Sequence, residues 1–348
     1  MTLKLGLFVD YAASTFTPPI PLVQQAEALG FDSVWTGEAY GTDAITPLAY
    51  IAARTERIKL ATGVVQISAR SPTMAAMQFG TLEQMAGTGR VIAGLGLSGP
   101  QVVEGWHGQS WHKPYDRLKD TVAIMRQVFR REAPVSHQGR AISLPLPAGD
   151  GTGQGKALKS ILRMNPDLPI WLGTGSQSMV TLTAEIADGW IPMGYCPGMM
   201  KIYRPWLEEG FRRAGGNKSL ADFEIQAQVQ VELTDDVQAA IERRKGGAAL
   251  YVGGMGNEKI NFHRDQMIRR GYQAAAEKIQ QCFLEGRRDA AIAAVPDEYI
   301  DEGGLFGDAA RIKARLKEWR DSGATGLTLH TDNADALELV AGLNRQLG

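Results

Sequence analysis

Short apolar runs alternate along this chain with longer stretches whose apolar residues recur every three or four positions. The short runs read as buried strands and the longer stretches as helices with one buried face. The strands fall at residues 3–9, 33–35, 58–64, 91–95, 169–172, 189–191, 224–231 and 326–330. Helical patterns occupy 19–29, 45–53, 72–85, 115–130, 178–187, 199–214 and 334–346, and another begins at 236–245. In the 115–130 segment, Val122, Met125 and Phe129 share one face. Repeated strand–helix units predict a parallel sheet, and eight of them predict a closed (β/α)8 TIM barrel. The competing arrangement is an open doubly wound sheet. Against it, the segment GLFVDYAAS at the first strand lacks the glycine fingerprint of dinucleotide-binding sheets.

Two insertions interrupt the pattern, after strands four and seven. Residues 136–168 carry the glycine- and proline-rich PLPAGDGTGQG, expected as a loop or hairpin near the barrel mouth. Residues 246–307 hold helical patterns at 257–270, 272–286 and 289–293, then Pro296 and a short helical turn. Segments of this length serve as lids, substrate walls or interfaces. The expected organisation is one barrel domain over 1–348.

Composition narrows the class. With 44% hydrophobic and 22% charged residues, the chain reads as an ordinary globular protein. A net charge of −1 provides no field to attract nucleic acid or a membrane surface. The apolar runs are too short to cross a bilayer, and MTLKLGLFVDYAAS lacks a secretory signal core. Cys196 and Cys282 form no metal or redox motif, which points to a reducing, cytoplasmic compartment. The histidines are scattered. His107 and His112, five apart, have no ligand spacing, so no metal is expected.

In a barrel the site lies at the C-terminal ends of the strands. The fourth strand ends in Gly94, Gly96, Leu97, Ser98 and Gly99, with Pro100 placed for a first helical turn. Amides there can bind a phosphate, or the segment is a plain tight turn. Gly173-Thr174-Gly175-Ser176 after the fifth strand has the same chemistry, or is a helix start capped by Ser176. These strands neighbour each other in a barrel, so their loops adjoin. The third strand, IKLATGVVQIS, continues beyond Gly63, the mark of a bulge or a close backbone approach. Other strand ends bring Asp10, Tyr11, Glu38 to Tyr40, Met193 to Tyr195, Gln226 to Gln230 and His330. Few of these ionise, and no Ser-His-Asp arrangement appears. Such a site suits a large planar cofactor with a phosphate tail, the cofactor carrying the chemistry.

The segments GFDSVWTGEAYGTDAITPLAYIAART (30–55), IKLATGVVQISARSP (58–72), GLGLSGPQVVEGWHG (94–108), PIWLGTGSQSMV (169–180) and AVPDEYID (294–301) resemble the bacterial luciferase-like superfamily. Within it, the chain is most similar to coenzyme F420-dependent oxidoreductases of actinobacterial type. The resemblance implies a homodimeric barrel and a non-prolyl cis peptide at Gly63–Val64. It implies hydride transfer between the deazaflavin F420 and a small-molecule substrate. Ring contacts would fall on Glu38, Ala39, Gly63, Val64 and Gln66. Tail contacts would fall on Leu97, Ser98, Gly99, Val103, Gly173, Thr174, Gly175 and Ser176. The family's glucose-6-phosphate dehydrogenases place a histidine where Ala39 stands and a glutamate where Pro100 stands. Neither residue here moves a proton, which disfavours the sugar-phosphate reaction. Glu38 is then the candidate catalytic acid, or else a hydrogen-bonding side chain. Tyr195 and His330 are secondary candidates. Arg70, Arg287 and Arg288 are candidates for a basic groove, or are merely solvated. The alternatives are an FMN-dependent monooxygenase and a non-catalytic flavin-binding barrel. The substrate and the direction of hydride transfer stay open.

Overall fold

A computed structural model describes residues 2–256 and 260–348. In chain order the first part holds β1 (Lys4–Val9), α1 (Ile20–Ala28), β2 (Ser33–Thr36), α2 (Ile45–Ala52), β3 (Lys59–Thr62), β4 (Val65–Gln66), α3 (Pro72–Ala86), β5 (Val91–Gly96), α4 (Pro100–Gly105) and α5 (Pro114–Arg130). The middle holds β6 (His137–Gln138), β7 (Ser143–Leu144), β8 (Ile170–Thr174), α6 (Gln177–Ile186), β9 (Gly189–Pro192), α7 (Met200–Ala214) and β10 (Glu224–Leu233). The last part holds α8 (Val237–Gly254), α9 (Phe262–Arg269), α10 (Gln273–Leu284), α11 (Arg288–Ala293), α12 (Asp297–Asp301), β11 (Gly304–Gly307), α13 (Ala309–Arg320), β12 (Gly326–His330) and α14 (Ala334–Leu347).

Eight parallel strands close a barrel in the order β1-β2-β3-β5-β8-β9-β10-β12, with β12 paired back onto β1. Side chains alternate across it, as the pleat requires. Phe8, Trp35, Ile92, Trp171 and Ile191 fill the interior. Leu7, Val34, Leu60 and Leu172 face outward into the layer shared with the helices. The helix ends follow local chemistry. Ser71 accepts a hydrogen bond from the Met74 amide (3.2 Å) ahead of Pro72, and Asp308 caps α13 through the Arg311 amide (2.8 Å).

The first insertion departs from expectation. The antiparallel pair β6–β7 lies along α5, where both Asp120 carboxylate oxygens take up its donors: the Ala141 and Ile142 amides and His137. Its return segment packs against α3 and α5, with Asn165 on Glu83 and the Leu168 carbonyl on Arg126. None of it lines the cavity at the barrel mouth. The reason is topological: the segment follows α5, which runs back toward the opposite end.

The second insertion begins later than expected. The helix expected to begin at 236–245 continues as α8 to Gly254, into the segment assigned to the insertion. A glycine costs a helix about 1 kcal/mol. Here Gly253 and Gly254 are needed, because a Cβ on either would come within 2.5 Å of Phe283. Helices α9 to α12 and the end of α8 form their own core around Val252, Met267, Ile279 and Cys282. Asn261 is fully buried and pins this unit: its Nδ2 donates to the Val252 carbonyl (2.7 Å) and its Oδ1 caps α9 at Arg264 (2.9 Å). The start of the expected 257–270 helix, residues 257–259, lies outside the described residues. Two elements escaped the sequence pattern. Strand β11 adds beside the far half of β10, and α13 fills 309–320. Among the described residues, no helix is long and apolar enough to cross a membrane.

Gly94 marks the tightest approach in the barrel. A Cβ there would lie 1.6 Å from the Thr62 carbonyl oxygen, a backbone atom that cannot yield. Gly94→Ala is therefore expected to destabilise the fold by about 3 kcal/mol or more, read as a lower urea midpoint.

Candidate active site

The third strand carries an extra residue. Ala61 pairs with Ile92, but Val65 pairs with Leu95, so four residues oppose three. This is a β-bulge, and the Gly63–Val64 peptide within it is cis. The Thr62 hydroxyl holds the bulge to β5, donating to the Gly94 carbonyl (2.7 Å) and accepting from the Gly94 amide (2.9 Å). Val64 then packs down between Gly96 and Gly173, where Cβ atoms would lie 2.4 and 2.7 Å from its methyls. Three of the motifs singled out in the sequence thus meet at one point.

Glu38, in the loop after β2, is almost wholly buried and fully engaged. Arg70 grips it in a fork, at 2.8 Å on Oε1 and 3.0 Å on Oε2. The Gln66 amide donates to Oε1 (2.8 Å) and the Ala44 amide to Oε2 (3.1 Å). Gln66 in turn donates from its side chain to the Ala39 carbonyl (2.7 Å) and pairs with His107 Nε2 (3.1 Å). These residues form a brace joining the loop after β2, the bulged strand and the end of α4.

The two glycine loops follow paired strands, with Gly96 opposite Gly173. Ser98 takes a left-handed backbone (φ 61°), and Gly99 faces open space. Val103 is buried, beside Leu97 and Trp111 in a narrow cleft. Thr174 faces the helix layer, its hydroxyl 2.8 Å from that of Thr183 on α6. Ser176 heads α6 without a side-chain cap. Val180 bonds back to its carbonyl (2.8 Å), which leaves the first-turn amides to an outside acceptor.

A cavity of about 520 Å³ opens at the C-terminal ends of the strands. Of the expected cofactor contacts, only Gly63 lines it. Phe8, Asp10, Tyr11, Met193, Gln228, Gln230 and His330 come from other strand ends. Tyr251, His263, Gln266 and Tyr299 come from the insertion. These last four escaped the sequence reading. Asn261 before a helical pattern does signal where α9 begins, but not which way it faces. Tyr11 rests against Gly37, and burial with the nearby Tyr251 raises its phenol well above the ordinary value. Burial pushes His263 and His330 down to about 4, so both are neutral near pH 7. His330 stacks on Phe8 at 4.2 Å, and its buried Nε2 finds no partner among the described residues. Among the described lining residues there is no lysine or arginine.

Several expected participants lie elsewhere. Tyr195 donates to the Ser322 carbonyl and stacks on Tyr203 in the core. Arg70 is taken by Glu38, Arg287 by Glu285, and Arg288 lies over Phe283 at 3.3 Å. Among the described residues no three His, Cys, Asp or Glu side chains converge as metal ligands. The residues present do fit a flat ring with an anionic tail. Backbone rather than side chain forms the floor at Gly63, and the uncapped turn at Ser176 offers donors to an anion.

The profile of the luciferase-like monooxygenase family matches residues 7–326. A Mycobacterium tuberculosis protein with the provisional name coenzyme F420-dependent oxidoreductase is 44% identical over 345 residues, covering 98% of this chain and 99% of that protein. The coenzyme F420-dependent tetrahydromethanopterin reductase of Methanopyrus kandleri superposes with a TM-score of 0.75 at 23% identity, over 98% of both chains. An F420-dependent secondary alcohol dehydrogenase, solved with an F420–acetone adduct, superposes with a TM-score of 0.74 at 19% identity, over 99% of this chain and 98% of that one.

The brace makes a stability prediction. Glu38→Gln leaves Arg70 buried without its counter-charge and should cost about 3–5 kcal/mol in urea unfolding. Adding Arg70→Met should restore part of that loss. Equal costs for the single and double variants would contradict the pairing.

Proposed function

The chain belongs to the luciferase-like monooxygenase family, and from that membership we propose that it is a coenzyme F420-dependent oxidoreductase acting on a small organic substrate. The observation that carries this reading is the cavity over Gly63. It is large, meets the barrel backbone at Gly63 and has no lysine or arginine among its described lining residues, as suits a site whose chemistry comes from a bound group. The strong similarity to the mycobacterial protein named for that coenzyme supports the choice.

When bound, the deazaflavin would supply the carbon that gives or takes a hydride. The chain's own residues have separate tasks. Gly63 and Val64 would support the ring from below. Glu38, Ala39 and Gln66 fix the shape of that floor through the Arg70 brace. With four donors on its carboxylate, Glu38 is better suited to bracing than to giving a proton. Leu97, Ser98, Gly99 and Val103 would flank the tail. The backbone of Gly173, Thr174, Gly175 and Ser176 would hold its phosphate. Phe8, Met193 and Tyr299 would exclude water from the reacting face. The Tyr11 hydroxyl, with Tyr251 beside it, would bind the substrate oxygen at which a proton is exchanged. Neutral His263 and His330 add hydrogen-bonding groups without charge.

The test is titration of the purified chain with coenzyme F420 and with FMN, followed by a panel of alcohols, aldehydes, ketones and enones. The expected result is micromolar or tighter F420 binding and a change in coenzyme absorbance with one substrate class. Binding of FMN alone would favour the monooxygenase reading. Tight binding with no turnover across the panel would favour a non-catalytic barrel.

We also propose a homodimer in the reducing cytoplasm. Met74 and Met77 lie exposed on α3, and Leu158 and Ile161 lie exposed in the segment packed beside it. An apolar surface of this kind favours burial against a partner. Light scattering should give twice the monomer mass, and a monomer at micromolar concentration would contradict it.

A further inference from the structure

Arginines on this protein mostly face carboxylates, and Arg269 does not. Its neighbours in the chain are paired, Arg264 with Asp265 (3.0 Å) and Arg270 with Glu302 (3.4 Å). Among the described residues no carboxylate lies within ion-pair distance of Arg269. Its guanidinium is instead oriented by Gln266, whose Oε1 accepts from Nε (3.2 Å) and Nη2 (2.8 Å). Nη2 sits 3.8 Å from the position a Cβ would take on Gly175. A half-buried cation is therefore held against the glycine loop after β8, with no counter-ion among the described residues.

Helix α9 brings it there from the insertion. At the other end of that helix, Phe262 meets Trp111 with ring centroids 6.3 Å apart, next to the loop after β5. Gln101 of α4 also reaches across, donating to the Gly256 carbonyl (3.0 Å). The helix thus runs from one glycine loop to the other. Midway, Gln266 donates to the Gly194 carbonyl (2.9 Å) and lines the cavity.

We propose that Arg269 is the cation that holds the phosphate of the cofactor tail, so that the insertion closes the cofactor groove as well as the substrate cavity. This rests on the cofactor reading above. A planar guanidinium presents paired donors that match phosphate oxygens, and its orientation by Gln266 reduces the entropy lost on binding. The same chemistry serves a phosphodiester, as in F420, or a phosphomonoester, as in FMN. Gln266 links the two compartments. It orients Arg269 on one side and forms cavity wall on the other.

The test uses fluorescence titration of wild type, Arg269→Gln and Arg269→Lys with two matched pairs. These are F420 against its deazaflavin chromophore without the tail, and FMN against riboflavin. The pair that binds identifies the phosphate source. For the tailed member, Arg269→Gln should weaken binding about tenfold or more. The tail-less member should bind unchanged, which also shows that the variant is folded. Arg269→Lys should recover part of the loss, and added salt should narrow the gap between wild type and variant. Undiminished binding of the tailed form by Arg269→Gln would overturn the proposal. So would an equal loss for both members, which would make Arg269 a prop for α9. A wild type that binds neither pair would overturn the cofactor reading itself.

Discussion

Everything at the mouth of this barrel depends on one packing constraint: Val64 occupies space that only Gly96 and Gly173 leave free. A methyl group at either glycine would drive the bulged strand away from β5 and β8. The bulge sets where Gly63 stands, and Gly63 is the point where the barrel backbone meets the cavity. The glycines that look like a phosphate loop in the sequence therefore have two roles. Gly96 and Gly173 are spacers for a side chain. Further along each loop, Gly99 faces open space and Gly175 lies against Met193 and Arg269.

A second layer of order comes from the buried Glu38–Arg70 pair. Taking both charges out of water is costly, and removing one partner would cost more. The pair spans the loop after β2 and the segment after β4, and two amides complete its shell. It therefore locks the bulged strand against its neighbour on the other side from Val64. Both carboxylate oxygens of Glu38 are taken up within this setting. The hydroxyl-bearing side chains of Tyr11 and Tyr251 line the cavity where the insertion meets the barrel.

The barrel was legible from the alternation of short apolar runs and helical stretches, because each strand is buried on both faces. All eight barrel strands were found, within a few residues at their ends. The bulge was legible too, from a glycine inside a run of strand formers. The pairing of Glu38 was not, because its partner Arg70 is remote in sequence and nothing local pairs them. Strand β11 escaped because GLFG carries no period of its own and exists only by pairing with β10. The second insertion was legible as helices and as a wall of the site, but its orientation was not. Its orientation is set by contacts such as Gln266 with Gly194 and Asn261 with Val252, which link positions far apart in the pattern. The glycines of α8 misled for a related reason. Gly253 and Gly254 near its end make room for Phe283, a tertiary demand that outweighs local propensity.

Strand ends of the barrel and side chains of the insertion together line the cavity. Of the ring contacts expected from the sequence, Gly63 lines that cavity, together with residues the sequence did not single out. The most direct test is a crystal structure of the chain with coenzyme F420. The account predicts the deazaflavin ring over Gly63 and Val64, with the phosphate between the loop at Ser98–Gly99, the amides at Gly175–Ser176 and the Arg269 guanidinium. A ring seated away from Gly63, or a phosphate pointing to solvent on the side opposite α9, would contradict it.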